Sequence, residues 1–294
     1  MWNIQCEIRP ERVKMFEILS RKRLNQVTTL FDIHAPKVAG KARAGQFVIV
    51  CIHDRGERIP LTIAENDPEK GVITLVVQEI GKTTMEMCAM KEGSRLAVLS
   101  GPLGIPSEIR KYGTVICIGG GVGIAAIYPI ARALKEAGNT VLSIIGVRTK
   151  DLLFWEDRMR SASHELIVCT DDGSYARKGV VTVPLKEILK RGTPIDRIWT
   201  IGPAVMMKFC TLTTGKYKIP TIVSLNSIMV DGTGMCGSCR VEVDEKTCFA
   251  CVDGPEFDGH KVNWDLLLDR QRIYLKEENQ ALKRWKQSCE SFYG

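Results

Sequence analysis

The sequence predicts three consecutive units: a small β-barrel, a doubly wound α/β sheet and a small cysteine-bearing C-terminal unit. Residues 15–107 hold short β-branched runs bounded by Gly, Pro, Asp or Glu, which is typical of a small barrel. Over residues 108–222 strand patterns alternate with helix patterns, which indicates a parallel sheet covered by helices. Over residues 223–294 four cysteines fall between Cys236 and Cys251, a pattern that core packing does not require.

The barrel is predicted from the period and composition of its strands. Each run is rich in Val, Ile, Thr or Phe and ends at a turn-forming residue. A short helix is predicted at 85–90, between the fourth and fifth of these runs. The expected strands are 26–33, 46–52, 60–64, 71–78 and 95–100. Residues 1–14 do not match a core pattern and are predicted to be a leader.

The second unit begins with an apolar strand at 114–118 and a glycine-rich turn. Gly138 marks the end of the helix that follows, and Pro184 is placed where a helix tolerates proline, in its first turn. The third unit ends in a charged helix, predicted over 266–288. The further elements expected in the second unit are helices at 124–136, 152–161 and 184–191 and strands at 140–146, 165–170 and 197–202.

Composition excludes several classes of function. The chain of 294 residues has 41 Lys and Arg against 34 Asp and Glu, a net charge of +7, and these residues are scattered, which argues against nucleic-acid binding. No stretch approaches the roughly 18 apolar residues of a membrane span. Cys51, Cys117 and Cys169 are isolated in apolar runs, which favours a reducing compartment, and we therefore expect a cytoplasmic protein.

The late cysteines indicate a metal or iron–sulfur centre. Cys236, Cys239, Cys248 and Cys251 could bind zinc or a single iron as a tetrahedral site. Alternatively, Asp231, Cys236 and Cys239 have the x₄ then x₂ spacing of a plant-type [2Fe–2S] loop, with Asp in place of the first Cys. The spacing leaves both interpretations open.

Three strand ends in the second unit are candidates for a nucleotide site. Glycines at 119–123 lie between a strand and a helix, where free N–H groups and the helix dipole favour a phosphate. Asp171 and Asp172 follow a second strand, and Gly202 and Pro203 follow a third. Ligands of open α/β sheets bind at the carboxyl ends of the strands, so we expect these segments to meet. In the barrel, Arg58-Ile-Pro-Leu-Thr62 enters a strand, and Gly81-Lys-Thr-Thr84 opens a helix as a possible phosphate nest.

The order of these motifs resembles the ferredoxin–NADP reductase superfamily, in which a flavin-binding barrel precedes a pyridine-nucleotide domain. The C-terminal addition resembles the electron-transfer subunit of dihydroorotate dehydrogenase. It is more similar still to the small subunit of NADH-dependent ferredoxin:NADP oxidoreductase, also called sulfide dehydrogenase. The resemblance covers residue 15 to the end, and its most specific part is the cysteine segment with the Asp253-Gly-Pro-Glu-Phe tail.

The resemblance implies roles for individual residues. Residues implied to contact the flavin of FAD are Arg58, Pro60, Leu61 and Thr62, and those implied to contact its diphosphate are Gly81, Thr83 and Thr84. Residues implied or expected at the NAD(H) site are Gly120, Gly121, Val122, Gly123, Asp171, Asp172, Gly202 and Pro203. The implied ligands of the [2Fe–2S] cluster are Asp231, Cys236, Cys239 and Cys251, with Cys248 spare.

The function implied is electron transfer among NAD(H), FAD and a [2Fe–2S] cluster, and on to or from a partner. Hydride transfer moves two electrons at once, whereas a cluster carries a single electron. A flavin can accept two electrons and release them one at a time, so a flavin between the nucleotide and the cluster links the two kinds of transfer. The implied partner is a larger flavoprotein subunit with FAD and [4Fe–4S] clusters, linked indirectly to ferredoxin. NAD(H) is expected rather than NADP(H), although Arg148 and Lys150 could favour a 2′-phosphate. The alternatives are a dihydroorotate dehydrogenase subunit and a non-enzymatic zinc-binding adaptor.

Overall fold

The computed structural model describes the backbone of residues 16–293 and the side chains of residues 16–288. The predicted leader, residues 1–14, lies outside the described residues. Within that range the strands form an antiparallel barrel sheet, a mostly parallel sheet and a small hairpin. In the described part of the chain, none of the helices is both long enough and apolar enough to cross a membrane.

The first unit is a closed antiparallel barrel, as predicted. Its sheet has the order β1-β2-β5-β4-β3-β6. The two edges meet where Glu17 bridges Arg95 and where the Ile18 N–H donates to the Ser94 carbonyl at 2.8 Å. The elements are β1 (Ile18–Asn25), β2 (Thr28–His34), α1 (Pro36–Ala39), β3 (Phe47–Cys51), β4 (Ile59–Asp67), β5 (Val72–Gln78), α2 (Lys82–Ala89) and β6 (Val98–Leu103).

The second unit is a doubly wound sheet, also as predicted. The sheet order is β10-β9-β8-β7-β11-β12-β15, parallel except for β15 at one edge. The elements are β7 (Thr114–Gly120), α3 (Gly123–Glu136), β8 (Thr140–Val147), α4 (Glu156–Ser161), β9 (Glu165–Thr170), β10 (Arg177–Lys178), α5 (Thr182–Lys190), β11 (Arg197–Ile201), α6 (Ala204–Gly215) and β12 (Thr221–Ser224).

One helix of this unit differs from its predicted bounds. The pattern predicted a helix from 152 to 161, but α4 begins only at Glu156. Trp155, the residue before it, has a left-handed φ of 57°, which a continuous helix cannot contain. A separate 3₁₀ turn covers Lys150–Leu152.

The third unit is built onto the edge of the second. Its last strand pairs antiparallel with β12, so the predicted boundary at 222/223 falls inside a strand of the shared sheet. The predicted C-terminal helix is two helices separated by a turn at 271–274, and the second contacts α2 of the barrel. The elements are β13 (Arg240–Val243), β14 (Lys246–Phe249), β15 (Glu256–Asp258), α7 (Trp264–Arg270) and α8 (Leu275–Tyr293).

The barrel and the α/β sheet are joined by polar contacts on one side. Glu65 of β4 accepts from Arg132 of α3 at 3.4 Å and also pairs with Arg158 of α4. The Asn25 amide at the end of β1 donates to the Leu152 carbonyl at 2.8 Å. These contacts hold the barrel and the α/β sheet next to each other, and a cavity lies between them.

Candidate cofactor cavity and cysteine centre

A cavity of about 1100 Å³ lies where the three units meet. The barrel contributes β4 and the start of α2, the α/β sheet contributes the carboxyl ends of its strands, and the third unit contributes the segment before the cysteines. Predicted residues that line it are Pro60, Leu61, Thr62, Thr84, Gly120, Gly121, Val122, Gly123, Asp171, Gly202 and Pro203. The structure therefore brings together most of the predicted flavin and nucleotide residues.

The glycines of the turn after β7 have two different roles. A Cβ at Gly123 would clash with the Ile201 carbonyl, and one at Gly120 with the Met206 sulfur, so these glycines let α3 pack closely on β11 and α6 pack closely on β7. Gly121 differs, because its φ is +56° and a Cβ there would meet no atom within 4 Å. It leaves open space at the start of α3, where the helix dipole favours a phosphate.

Four predicted residues lie outside the lining of the cavity: Arg58, Gly81, Thr83 and Asp172. The Gly81 N–H donates to the Thr84 hydroxyl at 3.0 Å, and the Thr83 hydroxyl donates to Glu57. Asp172 accepts from the Ser174 N–H at 2.9 Å, a bond that lowers the pKa of its carboxyl group. Arg58 is exposed at the approach to β4. In this structure the Asp172 side chain therefore stabilises a local turn, whereas the Thr83 side chain ties the start of α2 to Glu57 in the segment before β4.

Sequence reasoning missed the lining residues from the third unit. Residues 224–226 and Met229 form one wall, and Leu268 of α7 lies at the same cavity. The Gln271 amide donates to the Asn226 side chain at 2.8 Å, which ties the end of α7 to this wall. No local motif marked these residues, because they come together only when α7 docks beside the segment that follows β12. Arg148, noted earlier as a basic residue after β8, also lines the cavity.

The loop that precedes the cysteine hairpin is shaped by glycines and by Asp231. Gly232, Gly234 and Gly237 all have positive φ. The Asp231 carboxylate accepts from the Thr233 N–H at 2.9 Å and from the Cys236 N–H at 3.0 Å. The Thr233 bond is the main reason that the pKa of Asp231 lies below its usual value. Asp231 and the exposed Cys236 therefore belong to one tight turn.

Cys239 and Cys251 lie on either side of the β13–β14 hairpin and are both buried. Their sulfur atoms are 3.2 Å apart. Burial, and the neighbouring thiol of Cys239, raise the pKa of Cys251 to about 12. Two buried thiols in contact cannot both ionise unless a cation offsets their charge, and a bound metal supplies one. This pair therefore fits a metal or iron–sulfur site.

Cys248 is placed differently from the other three cysteines. It lies within β14, opposite Val241, and packs against the apolar cluster beneath the hairpin. Among residues 16–288, no three His, Cys, Asp or Glu side chains already converge as a metal site. The turn of Asp231 and Cys236 and the pair Cys239 and Cys251 fit a four-ligand set, whereas Cys248 is a partly exposed residue of strand β14.

Glu256 connects the three units behind the cavity. Its carboxyl group accepts from the Ser107 hydroxyl after the barrel and from the Trp199 indole N–H of β11 at 3.3 Å. Burial raises the pKa of Glu256 above its ordinary value. The carboxyl group that follows the Asp253-Gly-Pro motif therefore anchors the third unit to the other two.

A closed antiparallel barrel, a doubly wound sheet and a cavity between them define the fold of the ferredoxin–NADP reductase type. A ferredoxin reductase of carbazole 1,9a-dioxygenase shares this fold, with a TM-score of 0.59 and 21% identity over 69% of this chain and 65% of that chain. Residues 226–263 match the family described as the iron–sulfur cluster binding domain of dihydroorotate dehydrogenase B. These comparisons confirm the predicted fold class.

The chain belongs to the family of dihydroorotate dehydrogenase B electron-transfer subunits and their homologues. It is 50% identical over 269 residues to the "dihydroorotate dehydrogenase B (NAD(+)), electron transfer subunit homolog" of Thermotoga maritima, covering 92% of this chain and 95% of the relative. It also matches a chain of the NADH-dependent reduced ferredoxin-NADP oxidoreductase structure, with a TM-score of 0.89 and 47% identity over 94% of this chain and 99% of that chain. The predicted resemblance and the predicted oxidoreductase class are confirmed.

Proposed function

We propose that this chain transfers electrons among NAD(H), FAD and a [2Fe–2S] cluster, as one subunit of an NADH-dependent ferredoxin:NADP oxidoreductase. The observation that carries the proposal is the cavity at the junction of the three units. The loop that contains Asp231 follows Met229, which is part of the wall of that cavity. Its size, about 1100 Å³, suits large ligands rather than a small metabolite. A bound flavin exchanges two electrons with a nicotinamide and one at a time with a cluster.

The barrel side of the cavity is proposed to hold FAD. Pro60, Leu61 and Thr62 of β4 present a strand surface to the flavin, and Thr84 lies at the start of α2, near its diphosphate. Gly81 remains in the proposal because a Cβ there would meet no atom within 4 Å. Arg58 and Thr83 keep their proposed roles from the resemblance alone.

The sheet side is proposed to hold NAD(H). The open backbone at Gly121 and the start of α3 would receive the diphosphate, and Gly202 and Pro203, which line the same cavity, would contact the nicotinamide end. Asp171 lies at the next strand end, with Asp172 beside it. These residues bind, orient and exclude water, and hydride transfer between two cofactors needs no acid, base or nucleophile from the protein.

The third unit is proposed to hold the cluster through Asp231, Cys236, Cys239 and Cys251. The contact between Cys239 and Cys251 and the shared turn of Asp231 and Cys236 support this set. The position of Cys248 within β14, opposite Val241 and partly exposed, supports its exclusion. An oxygen ligand changes the charge and hydrogen bonding at the cluster, which are determinants of its potential.

The relatives are electron-transfer subunits, which implies that this chain works with another subunit. We propose that this partner is a larger flavoprotein with FAD and [4Fe–4S] clusters that reacts with ferredoxin and NADP(H), and that the complex is cytoplasmic. A dihydroorotate dehydrogenase partner is the second candidate, favoured by the names of several relatives. Asp231, at the position where that branch has a cysteine ligand, favours the first candidate.

Anaerobic purification of the chain with its native partner tests the proposal. We expect a brown complex with flavin and iron–sulfur absorption that reduces NADP⁺ with electrons taken jointly from NADH and reduced ferredoxin. A colourless zinc protein would establish the adaptor alternative. Orotate-dependent oxidation of NADH by the complex would establish the dihydroorotate dehydrogenase alternative.

A further inference from the structure

Helix α6 is apolar on the side that faces solvent. Val205, Phe209 and Leu212 are 49%, 55% and 55% exposed, and their spacing of four and three residues aligns them in one stripe. The opposite side is also apolar, since Met207 and Cys210 are fully buried in the sheet. A helix that is apolar all round is normally covered on all sides. Among residues 16–288, by contrast, no element covers the exposed stripe of α6.

Helix α7 extends this stripe laterally. The segment that precedes α7 lies beside the end of α6, where the His260 ring is next to Gly215. Nearer the start of α6, the Lys208 ammonium pairs with the Asp265 carboxylate of α7 at 2.6 Å. Leu266, the residue after Asp265, is 39% exposed. Val205, Phe209, Leu212 and Leu266 are together called the α6 face. Val205 also lines the cofactor cavity, so one end of the α6 face reaches the mouth of that cavity.

The surroundings of the α6 face are positively charged on the side of α5 and of the turn after α6, whereas the α7 side also carries the exposed carboxylate of Asp269. Helices α5 and α6 together contain one carboxylate, Glu187, which pairs with Arg177, and Asp265 at the start of α7 is paired with Lys208. The exposed lysines of α5 and of the turn after α6 are Lys186, Lys190, Lys216 and Lys218. An apolar centre with a charged rim is the usual composition of a protein–protein interface.

We propose that the α6 face is a docking surface for the partner subunit, whose matching surface is apolar and rimmed by carboxylates. This inference rests on the proposed function, which requires a second subunit. A second copy of this chain fits poorly, because a symmetric contact would bring one lysine rim against the other. A partner with acidic residues around an apolar patch would cover the apolar side chains of the α6 face and pair with the surrounding lysines.

The test is a double substitution in the full chain, Phe209→Ser with Leu212→Ser, leaving Val205 unchanged because it lines the cavity. The control is Leu19→Ser on β1 of the barrel, another exposed apolar residue, which lies on neither the cavity nor the α6 face. Large side chains at the centre of an interface commonly cost about tenfold or more in affinity each, so we expect the pair to raise the Kd for the partner roughly 100-fold. The control should leave the Kd unchanged.

Two further measurements distinguish a lost interface from a misfolded chain and test the role of the lysines. The isolated double variant should keep its visible spectrum, its NADH-to-dye activity and its thermal midpoint, because neither side chain is buried. The variant Lys186→Glu with Lys190→Glu should slow association with the partner and weaken the dependence of that rate on salt.

An unchanged Kd in the double variant would overturn the proposal. So would a homodimer of the isolated wild-type chain that the double substitution abolishes, since the occupant would then be a second copy. Failure of the proposed function is a separate result, because it appears in the isolated wild-type chain as the absence of flavin and iron–sulfur absorption, whatever the Kd for the partner.

Discussion

The sulfur atoms of Cys239 and Cys251 lie 3.2 Å apart beneath the β13–β14 hairpin, although twelve residues separate them in the chain. The hairpin achieves this because the Ala250 N–H donates to the Cys239 carbonyl at 3.1 Å, so the chain returns next to its starting point. Cys248, only three residues before Cys251, lies within the strand and packs against apolar side chains. The structure thus separates two cysteines that the sequence presents as one motif.

Cys248→Ser and Cys251→Ser form a matched pair of variants. We expect Cys251→Ser to abolish the iron–sulfur absorption, because it removes half of the buried thiol pair, and Cys248→Ser to leave it intact. Absorption spectra and iron content of the two anaerobically purified variants provide the measurement. Loss of the cluster in Cys248→Ser with retention in Cys251→Ser would reverse the assignment.

Gly121 and Gly123 should respond differently to substitution. Gly121→Asn introduces a side chain into open space, and Asn tolerates a left-handed φ, so we expect near-normal folding with a KM for NADH raised tenfold or more. Gly123→Ala forces a methyl group against the Ile201 carbonyl, and we expect a loss of about 1–3 kcal/mol in the free energy of unfolding. Denaturant titrations and steady-state kinetics of both variants distinguish the two roles. Equal KM values for wild type and Gly121→Asn would exclude the phosphate role of Gly121.

The sequence predicted the elements with clear periods and missed those that depend on tertiary packing. Strand β9, Glu165–Thr170, was predicted with its observed bounds, because it is a β-branched run ended by two aspartates. Helix α6 was not predicted, since it is apolar on both sides and has no amphipathic period. Trp155 interrupted an otherwise plausible helix through a backbone conformation that no propensity indicates.

The residues of the candidate site were predictable where a sequence motif lines the cavity. The turn at 120–123 and residues 60–62 of β4 are two such motifs. Asn226 and Gln271 were not predictable, because they meet across 45 residues through the docking of α7. Thr83 was assigned from the resemblance, but its hydroxyl donates to Glu57, a contact that sequence spacing does not reveal.

The preference for NAD(H) over NADP(H) is a third prediction. Arg148 lines the cavity after β8, whereas the Lys150 ammonium lies 5.3 Å from the centre of the Tyr175 ring. We expect a higher kcat/KM for NADH with a dye acceptor, and expect Arg148→Gln to reduce the residual NADPH activity more than the NADH activity. Lys150→Gln is the neighbouring control. A higher kcat/KM for NADPH in the wild-type chain would contradict this preference.

The buried Glu256 predicts a pH dependence of stability. Burial raises its pKa above the ordinary 4.5, so above pH 4.5 the unfolded chain releases this proton while the folded chain retains it. The unfolded state then binds fewer protons, and the contribution of Glu256 to stability falls as pH rises, by at most about 1.4 kcal/mol per pH unit, until the pKa of the folded state is reached.

Glu256→Gln removes this proton but keeps groups that can bond Trp199 and Ser107. We therefore expect the stability of Glu256→Gln relative to wild type to increase from pH 5 to pH 8 in urea denaturation. Glu256→Ala, which removes the contacts at every pH, should be less stable throughout. A difference between Glu256→Gln and wild type that stays constant with pH would show that Glu256 is ionised in the folded chain.

The central claim is that electrons pass from NADH through FAD to a cluster held by the third unit. Anaerobic titration of the purified chain with NADH, followed by visible absorption and electron paramagnetic resonance, tests it most directly. We expect flavin bleaching together with the paramagnetic signal of a reduced [2Fe–2S] cluster in the wild-type chain, and flavin bleaching without that signal in Cys251→Ser. A wild-type chain that is colourless, or whose cluster signal never appears on addition of NADH, would contradict the account.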